Sequence, residues 1–214
     1  MKKSDIISPI IIAEADAWLV LVILKAIGFD LKDFLGKVNL EIFYPPANFI
    51  LITLPISLPL LALAFILIVS LFKEKLLTIY QLAKFMLVGT LNTFIDLGIL
   101  NLLMLLSGIT AGWYYSLFKA ISFSSATTNS YFWNKFWTFK KRETKVGAGE
   151  YSQFYLITGI GFLINVGIAS LVVNLIGPQF GFSKTIWANV GAIIAVLCAF
   201  MWNFLGYKFI VFKK

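Results

Sequence analysis

Residues 129–141 read NSYFWNKFWTFKK, with two amides and three lysines set among six aromatic rings. A carboxamide and an ammonium are hydrogen-bond donors suited to an oxyanion such as a phosphate. Aromatic rings, for their part, settle where hydrocarbon meets water. Two readings follow. In the first, Trp133, Phe136, Trp137 and Phe139 lie among lipid head groups as an anchor, while Lys135, Lys140 and Lys141 reach out to lipid phosphates. In the second, Asn134 and Lys135 hold a bound phosphate.

The stretch just before it, KAISFSSATTNS at 119–130, is polar for an apolar chain. At about 100° per residue, Lys119, Ser122, Ala126, Asn129, Ser130 and Trp133 share one broad helical face. That lane is about 20 Å long. Gly89, Asn92, Thr93 and Asp96 share a face on an earlier helix. Small and hydroxyl residues also permit close helix packing, which is the expected role of Ala188, Ala192, Ala195, Ala199 and Asn203. A charge at mid-membrane costs several kcal/mol unless paired or hydrated, by order of magnitude. Measured from the level of Lys84 and Lys135, Asp96 and Lys119 lie at depths of about 18 and 24 Å. They are expected to form an ion pair.

The elements that position these residues must be membrane helices. Of 214 residues, 60% are hydrophobic and 13% charged, about half the charged share of a soluble domain (about 25%). Mean hydropathy is +0.90. There is no His, and Cys198 is the only cysteine. An intrachain disulfide, a His metal site and a multi-Cys cluster are therefore excluded, and neither a metal nor a cofactor is expected. The opening MKKSDIISPIII is basic then apolar, but Glu14 and Asp16 interrupt it and no small-residue cleavage site follows, which reads as an uncleaved helix.

Six windows can span about 30 Å: roughly 6–29, 46–72, 83–106, 114–137, 152–176 and 186–210. The first carries Glu14, Asp16 and Lys25, so a helix lying in the interface is the alternative there. Pro55 and Pro59 should kink the second. No polar segment between windows is long enough for a soluble catalytic domain. With the N-terminus inside, thirteen basic residues fall on inner segments, and only Lys32, Lys37 and Lys184 fall on outer ones. Both termini are then cytoplasmic, in a multi-pass protein of the cytoplasmic membrane. The net charge of +8 matches anionic lipid, and nucleic acid is not an expected partner.

An internal repeat organises the last part of the chain. FMLVGTLNTFIDLGI at 85–99 aligns with FYLITGIGFLINVGI at 154–168, setting Asp96 on Asn165. SYFWNKFWTFKK at 130–141 aligns with NFLGYKFIVFKK at 203–214, setting Lys135 on Lys208. Each copy holds two helices and returns to its starting side, so the copies should be parallel and related by an axis along the membrane normal. The fold class expected is all-α: a polytopic integral membrane protein with a four-helix domain of two parallel two-helix repeats, preceded by two extra hydrophobic helices. The division expected is 1–78 for the N-terminal pair and 79–214 for the four-helix domain, with repeats at about 82–141 and 151–214.

From about residue 82 to 214 the chain resembles the GtrA-like family, whose domain is also similar to the membrane region of some dolichol-phosphate mannose synthases. KFMLVGTLNTFIDLG opens the first unit. NSYFWNKFWTF closes its second helix with the family's pattern of Asn, aromatic, two apolar, Asn, basic, aromatic and Phe. Ser130 stands where the family often has Asn, and Tyr207 stands where the second copy could carry Asn. The resemblance implies a role in cell-surface polysaccharide synthesis, as a flippase that moves a polyprenyl-phosphate-linked sugar, or as a non-catalytic subunit or anchor of a membrane glycosyltransferase that makes one.

On that basis Asn134 and Lys135, with Lys208 from the second copy, are expected to hold the carrier phosphate. The full set expected to meet substrate is Asp96, Lys119, Asn129, Asn134, Lys135, Asn165, Asn203 and Lys208. The partners expected are the lipid-linked sugar, membrane lipid, a membrane glycosyltransferase in the subunit reading, and a second copy in a homodimer. An exporter like small multidrug-resistance proteins would also use short helices and a membrane acid, but such proteins assemble in opposed orientations and the basic residues here fix one. An enzyme is not expected, because no nucleophile–base pairing stands out among Glu14, Asp16 and Asp96. Topology is directly checkable in single-cysteine variants of a Cys198→Ala background. An impermeant thiol reagent applied outside should label position 110 and spare position 145, and the reverse pattern would invert the assignment.

Overall fold

In hydrocarbon no water is at hand for backbone N–H and C=O groups, so a chain this apolar must bond its own backbone, and helices do so within one segment. The computed structural model describes residues 3–26, 28–37, 44–109, 112–140, 147–181 and 184–213, and among them there is no strand. The helices are α1 (Ser4–Ala26), α2 (Leu31–Lys37), α3 (Tyr44–Ser70), α4 (Leu77–Ser107), α5 (Gly112–Trp133), α6 (Ala148–Ser170) and α7 (Lys184–Gly206). Wider π-helical turns extend three of them: π1 (Asn134–Thr138) after α5, π2 (Leu171–Ile176) after α6 and π3 (Tyr207–Val211) after α7.

Among the described residues, five helical segments are long and apolar enough to cross a membrane: Ser4–Lys25, Pro46–Ser70, Leu77–Ser107, Ala148–Ile168 and Ile194–Val211. The sixth expected crossing, α5, has 22 residues, or about 33 Å, but its run of hydroxyls and amides makes it too polar to qualify on composition. It is held as the second arm of a hairpin with α4. The short α2 in the connection between α1 and α3 has no counterpart in the expected windows. α3 stays helical through Pro55 and Pro59. Gly108 ends α4 in the left-handed region at φ 69°, its N–H reaching Met104 O at 2.9 Å, where a side chain would be strained.

The chain divides into two compact units, residues 1–140 and 141–214. In the first, α1 packs on both α3 and α4, and α4 packs on α5. Asp5 meets Lys84, Asp16 meets Thr90, and Leu19 lies against Gly98, so α1 runs lengthwise beside α4 and in the same direction. That placement makes α1 a span and removes the interfacial alternative. Ile12, Val88, Leu91 and Trp137 form its core, and Ile66, Tyr80 and Ala83 close the turn between α3 and α4. The faces turned away are apolar and open, as at Ile52, Ile56, Leu60 and Leu61 of α3, which suits lipid.

The second unit is the α6–α7 hairpin. Phe154 stacks on Tyr207 with ring centroids 4.0 Å apart, the Tyr207 hydroxyl lies 2.6 Å from Thr158 Oγ1, and Trp202 Nε1 donates to Ile157 O at 3.0 Å. The sequence repeat has a structural signature within each unit. π1 and π3 occupy equivalent positions under the offset that aligns Lys135 with Lys208, and each closes with an i+5 bond, Phe139 N to Asn134 O at 2.9 Å and Phe212 N to Tyr207 O at 2.7 Å. Phe85 and Phe154, and Phe139 and Phe212, are buried as pairs of equivalents.

Helix contact in the second unit depends on Gly206, where a Cβ would stand 2.5 Å from Ile157 Cγ2, on a branched side chain with little room to turn. Gly206→Ala should therefore destabilise the protein by about 1–3 kcal/mol through overpacking. Gly159→Ala, with nothing within 4 Å of its Cβ, should be neutral or slightly stabilising. Thermal unfolding of both variants in detergent checks the contrast.

Candidate functional site

The α4–α5 hairpin brings the polar faces seen in the sequence into register as a series of cross-helix bonds. Asn129 Nδ2 donates to Asn92 Oδ1 at 2.8 Å, and one turn further along α4 Ser122 Oγ donates to Asp96 Oδ1 at 2.6 Å. Thr93 instead turns its hydroxyl to Gly89 O at 3.0 Å on its own helix. Asn92 and Asp96 are about 12 and 18 Å from the level of Lys84, so polar groups sit deep in what is otherwise hydrocarbon. Asp96 and Asn129, two of the expected site residues, thus belong to one continuous line. The proposed partner of Asp96, the Lys119 side chain, lies outside the described residues, and so does that ion pair.

Where the line reaches the end of α5, the chain widens into π1. Asn134 is fully buried, with Nδ2 donating to Ser130 O at 2.9 Å and to Ser130 Oγ at 3.2 Å, while its Oδ1 has no hydrogen-bond partner among the described residues. Lys135 is fully buried too, with Nζ 3.3 Å from the Tyr131 hydroxyl. Trp137 and Phe139 are likewise inside. The anchor reading is overturned for these three: Lys135 does not reach the lipid, and the two rings are core. An i+5 turn carries one residue more than the α-helical turn it replaces, and each residue is worth about 100° of rotation, which re-aims the side chains that follow. Phe136 and Trp133 stay half-buried.

The same end of the unit holds a group of charges that sequence reasoning missed. Lys84, fully buried, pairs with Asp5 Oδ1, and Lys140 Nζ takes Asp5 Oδ2 at 2.9 Å. Asp5, on the first turn of α1, is itself fully buried. The Lys84 ammonium also lies 4.4 Å from the Tyr80 ring centroid and 5.0 Å from that of Trp137, contacts that favour a cation. Lys140 has φ 55°, a left-handed conformation costing a non-glycine residue about 1–2 kcal/mol. Deeper along α1, Asp16 accepts from Thr90 Oγ1 at 2.7 Å with its other oxygen unpartnered among the described residues.

This pairing had a faint signal in the sequence. Lys84 is set into an apolar run and Asp5 opens one, and ions so placed need partners. Nothing in the spacing says which helix lies beside which.

In the second unit, Asn165 is half-buried, and Asn203 lies against Gly161 with a buried Oδ1 that has no partner among the described residues. Lys208 is half-buried, its Nζ 5.8 Å from the Phe204 ring and 5.2 Å from that of Phe209. Among the described residues no group of acids, His or Cys could hold a metal ion.

Residues 84–212 match the family described as GtrA/DPMS, transmembrane domain. No curated protein and no solved structure matches the chain.

The ion triad makes a stability prediction. Lys84→Met leaves Asp5 buried with one counter-charge fewer and should destabilise by about 3 kcal/mol. Combining it with Asp5→Asn should recover part of that loss. Equilibrium unfolding of the single and double variants in mixed micelles checks the sign of the coupling.

Proposed function

The chain belongs to the GtrA/DPMS transmembrane-domain family, and from that membership we propose that it moves a polyprenyl-phosphate-linked sugar across the cytoplasmic membrane for assembly of a cell-surface polysaccharide. The family places it among membrane proteins of polysaccharide-related glycosylation, and the transport step is our reading. The observation that supports it most is the polar line of the α4–α5 hairpin. Asn92–Asn129 and Asp96–Ser122 lead inward to the amide of Asn134, whose Oδ1 is buried without a partner among the described residues.

A sugar head group carries many hydroxyls, and each would lose hydrogen bonds to water on entering hydrocarbon. An unmet polar group costs about 2–7 kcal/mol there. A line of amides, hydroxyls and a carboxylate along one hairpin offers replacement bonds at successive depths, while the polyprenyl tail stays in lipid. The protein then has no bond to make or break, in keeping with a non-catalytic role. In this reading residues 79–214 are the transporting domain, both termini are cytoplasmic, and the carrier is loaded from the cytoplasmic side. Asn165, Asn203 and Lys208 serve the second repeat as Asp96, Ser130 and Lys135 serve the first.

The test is translocation in vesicles of purified protein and a fluorescent polyprenyl-phosphate sugar, read as head-group accessibility to an impermeant quencher. The protein should accelerate crossing over empty vesicles. Asp96→Asn and Asn129→Leu should each reduce that acceleration by about tenfold or more, the worth of one or two lost polar contacts, with folding retained. If vesicles containing the protein cross no faster than empty ones, transport is wrong and the subunit reading replaces it.

A further inference from the structure

Lys84 and Lys140 belong to the stretch from 79 onward that repeats, but the carboxylate between them comes from α1, ahead of the family match at 84–212. One acid faces two ammoniums, so the group carries a net positive charge of one. It also sits at a particular depth. α4 has 31 residues, about 46 Å against a hydrocarbon thickness of about 30 Å. Lys84 lies 23 residues before its outer end at Ser107, or about 35 Å, which places the ammonium at head-group level.

The surroundings have a donor to spare. Trp137 Nε1, on π1 beside this group, is buried and has no hydrogen-bond partner among the described residues. The Trp137 ring is the one that lies 5.0 Å from Lys84 Nζ. A carboxylate has two oxygens, and here each takes one lysine. A phosphate monoester such as a polyprenyl phosphate presents three non-bridging oxygens and a larger charge, and such acceptors are matched by two ammoniums with an indole N–H. Lys140 is half-buried rather than enclosed, so the group has an open side, and Asp5 lies only on the first turn of α1, where a helix frays most readily.

We propose that Lys84 and Lys140 form a phosphate site for a lipid head group at the inner surface, and that Asp5 is a resident carboxylate which the incoming phosphate displaces. The proposal rests on the carrier reading for the identity of the lipid, and not for the existence of the site. Asp5 then acts as a tethered competitor. It keeps Lys84 paired when no carrier is bound, and it lowers apparent affinity by the fraction of time it occupies the site. The phosphate enters by exchange of one anion for another, so neither lysine is left uncompensated at any stage. This makes α1 a selectivity element as well as a brace, because only an anion that outcompetes an intramolecular carboxylate is admitted.

The test measures binding to the full-length protein in phosphatidylcholine nanodiscs by native mass spectrometry, with undecaprenyl phosphate, phosphatidylglycerol, undecaprenol and inorganic phosphate as probes. Asp5→Asn should tighten undecaprenyl phosphate by about tenfold, the factor expected if the site is open about a tenth of the time. Lys140→Met should weaken it by about tenfold or more. Undecaprenol should respond to neither change. Because Asp5→Asn could also loosen the fold, thermal unfolding accompanies it: undecaprenyl phosphate should raise the midpoint of this variant more than that of the unaltered protein.

A response confined to undecaprenyl phosphate assigns the site to the carrier. One shared with phosphatidylglycerol or inorganic phosphate assigns it to the phosphate group alone. If the unaltered protein binds undecaprenyl phosphate and neither substitution changes the affinity, the site is wrong while the carrier reading stands. If no variant binds it, Asp5→Asn included, both fail.

Discussion

A lysine with no exposed surface, seven residues into an apolar helix, is the constraint around which the first unit is arranged. Lys84 cannot be solvated where it lies, and an unpaired buried ammonium would cost several kcal/mol by order of magnitude. Asp5 supplies the counter-charge, and to do so α1 must stand beside α4 with its N-terminal end at the same level. Once that end is fixed, Ile12 meets Val88 and Leu91, Asp16 reaches Thr90, and Leu19 fills the space that Gly98 leaves. Packing adds area all along this interface, but between apolar helices in lipid, area selects no direction or register. Charge does, because only one alignment satisfies Lys84.

A second polar interface follows the same logic on another side of α4. Asn92 with Asn129 and Asp96 with Ser122 fix the register of the hairpin, each bond worth about 1 kcal/mol where the groups would otherwise be unsatisfied. One helix therefore carries both functions. Towards α1 it carries the brace, and towards α5 the polar line that a sugar head group could follow. The π turn after α5 joins them, since Trp137 lies over Lys84 while Asn134, three residues earlier, ends the polar line.

Much of this was legible in the sequence where the signal was local or repeated. Hydropathy located the spans, and helical periodicity put Asn92 and Asp96 on one face of α4 and Ser122 and Asn129 on one face of α5. The repeat of SYFWNKFWTFKK by NFLGYKFIVFKK marked the place where both copies carry a π turn. What was not legible depended on geometry between distant segments. Asp5 and Lys84 are 79 positions apart in the chain, and only the packing of α1 on α4 joins them. The aromatic–lysine motif was misread as a lipid anchor at Lys135, Trp137 and Phe139 because those residue types suit the head-group layer and nothing in the spacing shows that α1 and α4 pack against this turn. Asp96 called for a cation at its depth, and a partner found on it is the Ser122 hydroxyl, which charge arithmetic does not consider.

In the carrier reading we propose, this membrane domain handles a lipid-linked sugar itself and does not simply hold an enzyme in place. The most direct measurement is native mass spectrometry of the protein extracted gently from its own membranes. The result predicted is a bound mass equal to a polyprenyl phosphate carrying a sugar, absent from an Asp96→Asn variant that still folds. A protein that emerges free of lipid-linked sugar, and instead in stoichiometric complex with a glycosyltransferase, would contradict it.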